Sequence, residues 1–168
     1  MALREIVTIP EPILRKKAHK VTNFGPDLQA LIDDMVETMR DAPGVGLAAP
    51  QVASPLRVIV VEFGDEENEE VPPKLFTMVN PEIVRVSDGL VVGTEGCLSI
   101  PGFVGDVERV EQITVKGQNR FGKPMKVKAS GWLARIFQHE IDHLNGVLFT
   151  DRALRVWQPA EGEVVPRD

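Results

Sequence analysis

The five residues His139-Glu140-Ile141-Asp142-His143 put two imidazoles and a carboxylate at a spacing that can do chemistry. On a helix, positions four apart stack on one face, so both imidazoles can reach a single metal ion. Glu140, one place along, cannot ligate in the same geometry, but it can stand beside a metal-activated water and act as general base. The chain has three histidines in 168 residues, and two of them fall here, which favours a site over coincidence. The plainer alternative is a buried helix with two hydrogen-bonded histidines.

Such a site needs a third ligand. No histidine follows His143, which argues against the long metzincin pattern, and Glu161 and Glu163 lie in a tail containing proline and glycine. Cys97, the single cysteine, is the better candidate. It sits in Thr94-Glu95-Gly96-Cys97-Leu98-Ser99-Ile100-Pro101, where Gly96 lets the backbone turn closely and Pro101 ends the segment. One thiolate and two imidazoles leave a fourth position open, the pattern of a catalytic rather than a structural site. A small buried apolar role for the cysteine is the alternative.

A third segment, Gly44-Val45-Gly46-Leu47-Ala48-Ala49-Pro50-Gln51, brackets a valine with two glycines. Such a strip permits close approach of another backbone, for example a bound peptide. Gln51 offers a neutral amide donor that can hold a carbonyl oxygen as negative charge develops on it. The glycines do not form a dinucleotide fingerprint, and no Gly-Lys-Ser or Gly-Lys-Thr follows. A turn after a helix is the alternative.

The elements that must position these groups are readable in outline. Ser130 as N-cap and Gly146 as a left-handed stop bound a helix with Leu133, Ile136, Phe137, Ile141 and Leu144 at steps of three and four. Pro26 opens a second helix, with an apolar stripe of Leu28, Leu31, Ile32, Met35, Val36 and Met39, and Pro43-Gly44 stops it. Strands are expected over 56–63, 75–86, 107–115 and 125–128, with a hairpin connection at 119–123, and the short apolar run Val147–Phe149 is expected to pair with the sheet. Residues 64–70 read as an acidic surface loop, and Arg15, Lys16, Lys17, His19 and Lys20 as solvated. Strands first and a long helix late favour an α+β fold with largely antiparallel pairing. The expectation is one domain over 1–168, with about 153–168 an irregular tail.

A net charge of −6 gives no electrostatic case for nucleic acid or anionic membranes. A lone cysteine excludes an intramolecular disulfide and suits a reducing compartment. There is no long apolar run and no charged-then-apolar leader, so a cytoplasmic protein is expected.

Taken together and in this order, GVGLAAPQ, EGCLS and HEIDH resemble the three motifs of peptide deformylases, and the similarity runs from the Leu14-Arg15 region to about Arg152. The resemblance implies small, mostly antiparallel sheets around a central HEIDH helix. It implies removal of the N-formyl group from the N-terminal formylmethionine of newly made proteins. It implies one divalent ion on Cys97, His139 and His143, with Fe2+ expected natively; Zn2+, Ni2+ or Co2+ would also suit the donors. Glu140 would be the acid/base, and Gln51 and the backbone N–H of Leu98 the oxyanion donors. The peptide would pair as a strand along Val45-Gly46 and the Gly96 region. Ile136 and Trp132, about one and two turns before His139, are candidate walls of a methionine pocket. The partners implied are formylmethionyl nascent peptides, met near the ribosome; the oligomeric state stays open.

Three departures stand out. Arg135 occupies a position where members often carry an apolar residue, and its guanidinium is expected to reach solvent, with a cap over the pocket mouth as the alternative. Val104 replaces an arginine found in some members. The tail Val156–Asp168, with prolines and acidic residues, cannot form the basic ribosome-docking helix of some relatives. Two other classes stay in view: an HExxH peptidase with a different third ligand, and a module in which the metal only holds the fold.

Overall fold

The computed structural model describes residues 2–64 and 70–160. Two antiparallel sheets flank a buried helix. The larger has strand order β1 (Gly46–Ala48), β2 (Val58–Phe63), β3 (Lys74–Val86), β6 (Gln112–Gln118), β7 (Pro124–Ser130). The smaller joins β4 (Leu90–Cys97), β5 (Ile100–Val110) and β8 (Arg155–Trp157). Helices are α1 (Pro26–Asp41), α2 (Gly131–Leu144), which carries HEIDH, and the single turn α3 (Phe149–Arg152). The fold is therefore α+β, with the central helix that the three motifs implied.

The unbroken run Val58-Ile59-Val60-Val61 explains how the layers stack. Successive strand residues point to opposite faces, and here all four are fully buried. Ile59 and Val61 join Phe76, Met78, Val115 and the α2 residues Ile136, Phe137 and Ile141 in one core. Val58 and Val60 join Leu31, Ile32, Met35 and Met39 of α1 in another. A third cluster, of Leu14, Cys97, Ile100, Val107, Leu148 and Phe149, closes the other side of the metal-ligand candidates. The helix is thus covered on nearly every side, as a dry site requires.

The start and end of α2 follow local chemistry. Gly146 has φ +74°, and a Cβ there would lie 2.5 Å from the carbonyl oxygen of Arg15, so glycine alone fits the stop. Ser130 takes the extended N-cap conformation but makes no side-chain capping bond. The Gly131 N–H donates instead to the carbonyl of Glu111 at 2.9 Å, so the link between β5 and β6 supplies part of the cap.

Four expectations need correction. The run 107–115 is not one strand: it divides between β5 in the small sheet and β6 in the large one, with Glu111 between. Val147–Phe149 does not pair with a sheet; the Val147 N–H donates to Asp142 O at 3.0 Å and Phe149 begins α3. The tail from 153 is not wholly irregular, because Arg155–Trp157 pairs with Val104–Asp106. Strand β4 had no counterpart in the sequence reading. The acidic loop at 65–69 and residues 161–168, including Glu161 and Glu163, lie outside the described residues. His19 is exposed, as its lysine neighbours suggest.

Candidate metal centre

A two-residue turn, Leu98-Ser99, reverses the chain between β4 and β5 and brings Cys97 opposite Ile100. This places the thiol over α2. Cys97, His139 and His143 are all buried, and one ligand atom from each lies within 4.8 Å of the others. Cys97 Sγ is 3.3 Å from His143 Nε2. His139 Nδ1 is 3.0 Å from Glu95 Oε1, which leaves its Nε2 to point elsewhere, buried and without a hydrogen-bond partner. A buried imidazole nitrogen so placed beside a thiol and a second imidazole fits a divalent ion, because such an ion supplies the partner that the protein does not.

The two imidazoles are pushed in opposite directions. Burial disfavours a proton on His139, yet the Cys97, Glu95 and Glu140 side chains outweigh it and push its pKa well above the usual histidine value. Burial, with His139 and Arg109 close by, pushes His143 well below.

Glu95, quoted in the cysteine motif but given no role from sequence, is the hub behind this site. It is fully buried, and burial alone would raise its pKa, but bonds from Arg109 and His139 hold it far below the ordinary carboxylate range. Arg109 donates through Nε to Oε2 and through Nη2 to Oε1, both at 2.9 Å, a bidentate pairing that fixes the carboxylate plane. Its third donor, Nη1, reaches Asp142 of HEIDH at 2.7 Å. Arg152 also pairs with Asp142, at 2.6 Å. Arg135, expected in solvent, is 4% exposed: Nη1 donates to Glu95 Oε2 at 2.7 Å, and the guanidinium also bonds the carbonyls of Val107 and Val91. The expectation fails because β4 and β5 of the small sheet cover this face of α2 and supply the guanidinium with acceptors.

Across the site, Gln51 is fully buried at the end of the glycine strip. Its Oε1 accepts from the Ala48 N–H at 3.0 Å, so its amide nitrogen must face the other way. Nε2 donates to Ser99 Oγ at 3.1 Å and approaches Cys97 Sγ at 3.7 Å. Leu98 follows Cys97 in the turn and is half-buried. Gly96 is buried at the end of β4, Val45 is half-buried just before β1, and Trp132 is half-buried at the start of α2. Ile136 has no exposed surface and stands within the core.

Gly46 meets the HEIDH helix most closely. A Cβ there would lie 2.5 Å from Glu140 Oε2 and 3.0 Å from its Cδ. The missing side chain therefore defines where the fully buried Glu140 carboxylate sits. Gly46→Ala is expected to push that carboxylate by about an ångström and lower turnover on the order of a hundredfold, with KM much less changed. Steady-state kinetics on the metal-loaded variant check this; an unchanged kcat would show that Glu140 has freedom to spare.

Two histidines on one buried helix and a cysteine at the end of β4, with a carboxylate alongside and an amide donor opposite, define the site of a metal-dependent hydrolase. Residues 3–157 match the family model described as polypeptide deformylase. A peptide deformylase from Symbiobacterium thermophilum is 54% identical over 152 residues, covering 90% of this chain and 67% of the relative. One from Halothermothrix orenii is 49% identical, covering 93% and 97%. Among solved structures, the peptide deformylase from Thermotoga maritima superposes with a TM-score of 0.85 at 40% identity, covering 92% of this chain and all of that one. The Ehrlichia chaffeensis enzyme in complex with actinonin gives 0.85 at 39%, covering 92% and 91%. The chain belongs to the peptide deformylase family, and its activity is hydrolysis of the N-formyl group from nascent peptides, giving formate and a free N-terminal methionine.

Proposed function

We propose that the reaction runs in a single domain at a metal site formed by Cys97, His139 and His143, with Glu140 as acid/base and Gln51 and the Leu98 N–H as oxyanion donors. The observation that carries this is the convergence of the three ligand atoms within 4.8 Å beside the buried Glu140. A divalent ion held there supplies Lewis acidity and lowers the pKa of water. Glu140 takes the proton from the attacking water, whose oxygen bonds to the formyl carbon. The Gln51 amide, fixed by Ala48, and the Leu98 N–H donate to the oxygen as charge develops on it. Glu140 then returns the proton to the amide nitrogen as the carbon–nitrogen bond breaks, releasing the amine and formate.

The peptide backbone lies along Val45-Gly46 and Gly96, and the methionine side chain packs toward Trp132, with Ile136 supporting the wall from behind. No described helix is long and apolar enough to cross a membrane. In this proposal the enzyme works in the cytoplasm and meets formylated chains near the ribosome. Formate release from a formyl-methionyl peptide by anaerobically metal-loaded protein tests this. No release from a folded, fully loaded protein would reject it.

The native ion in this reading is Fe2+. Activity of the ferrous protein is expected to fall in aerated buffer over minutes to hours, and Ni2+ substitution to lessen the loss, because a thiolate beside a redox-active ion is open to oxidation. Timed assays of both forms in air check it; equal decay would argue against iron.

A further inference from the structure

The guanidinium of Arg135 fills a space that Gly93 leaves. A Cβ on Gly93 would lie 2.7 Å from Arg135 Cζ, 2.8 Å from Nε and 3.0 Å from Nη2. The group has little freedom to move away. Nη1 is held by Glu95 Oε2 at 2.7 Å and Val107 O at 2.9 Å, Nη2 by Val91 O at 2.7 Å, and Cζ lies 5.5 Å from the centre of the Trp132 ring. Arg135 thus ties α2 to β4 and β5, and its strongest bond ends on the carboxylate that orients His139.

We propose that Gly93 and Arg135 act as one coupled positioning unit for the metal centre. Gly93 provides the seat, and the seated guanidinium locks Glu95 Oε2, so that Oε1 holds the His139 ring in register. Arg109 fixes the Glu95 plane from its own side, but it is also committed to Asp142. Loss of Arg135 leaves Oε2 with one donor where it had two, and the carboxylate can rotate away from His139. Outer partners of metal-bound histidines typically govern affinity by roughly ten- to a hundredfold. The proposal rests on the metal-site reading given above.

The test uses the whole chain as parent, Gly93→Ala, Arg135→Met and the double variant. Co2+ affinity is read by competition with a chromophoric chelator, ligand geometry by the visible Co2+ spectrum, and folding by the thermal midpoint of the metal-free protein. Each single change is expected to weaken Co2+ binding about tenfold and alter the spectrum. The double variant is expected to bind no worse than Arg135→Met alone, because the added methyl then has no guanidinium to displace. Should Arg135→Met fail to fold, Arg135→Lys takes its place; the charge without the fork should recover only part of the affinity. Singles that bind Co2+ like the parent, whatever their thermal midpoints, would reduce Arg135 to a structural tie and overturn the proposal. Losses that multiply in the double variant would overturn the coupling. A parent that takes up no Co2+ would overturn the metal-site reading and the proposal with it.

Discussion

Glu140→Ala is expected to keep its metal and lose formate release by roughly 10²–10⁴-fold, the usual contribution of a positioned acid/base. The expectation follows from placement. Glu140 is fully buried, one residue from His139, with its carboxylate against the α-carbon of Gly46. A carboxylate in that position is costly to fold around, and burying one without a task is unusual. Truncation removes a buried charge and leaves the three ligand atoms untouched, so the folded state should survive. Glu140→Gln is the sharper companion: it keeps the shape but cannot accept the water's proton. Both variants should contain one ion per chain by elemental analysis. Activity within tenfold of the parent in either would remove Glu140 from the proton path.

The parts of the site that were legible in the sequence are those fixed by short-range spacing and rare residue types. Two of three histidines at i and i+4, the only cysteine beside a glycine, and a glutamine after a glycine strip each carry their meaning locally. The structure brings all of them together. The layer behind them was hidden because it is built from common residues meeting across elements. Glu95, Arg109 and Arg135 stand on β4, β5 and α2, and nothing in their local sequence says that they share one carboxylate. Strand β4 escaped for a related reason. Leu90 and Val92 are more than half exposed, and Gly93 and Gly96 weaken any strand signal. Its pairing with β5 is what makes it a strand. The same holds for Arg155–Trp157, three residues in a stretch that reads as a tail until β5 offers an edge.

Cys97→Ala bears on the one ligand that HEIDH does not supply. It is expected to weaken binding of Zn2+ or Ni2+ on the order of a thousandfold and bring formate release to background. A full set of four protein ligands is worth roughly 10–16 kcal/mol for structural Zn2+. Losing a thiolate from a set of three should then cost about 4 kcal/mol, or three powers of ten. The alternative HExxH peptidase predicts the opposite, since its third ligand lies elsewhere and Cys97 is only a packing residue. Among the described residues no other acid is well placed to serve. Glu95 already spends both oxygens on Arg109, Arg135 and His139 Nδ1. Asp142 faces Arg109 and Arg152. The substitution itself should disturb folding little, because Cys97 is a small residue at a strand end and alanine fits the same backbone. Thermal midpoints of metal-free parent and variant should therefore agree closely, while their metal affinities separate widely. A variant that retained stoichiometric Zn2+ through dialysis against a competing chelator would show that the thiolate is not a ligand, and the assignment of the centre would have to be rebuilt around another group.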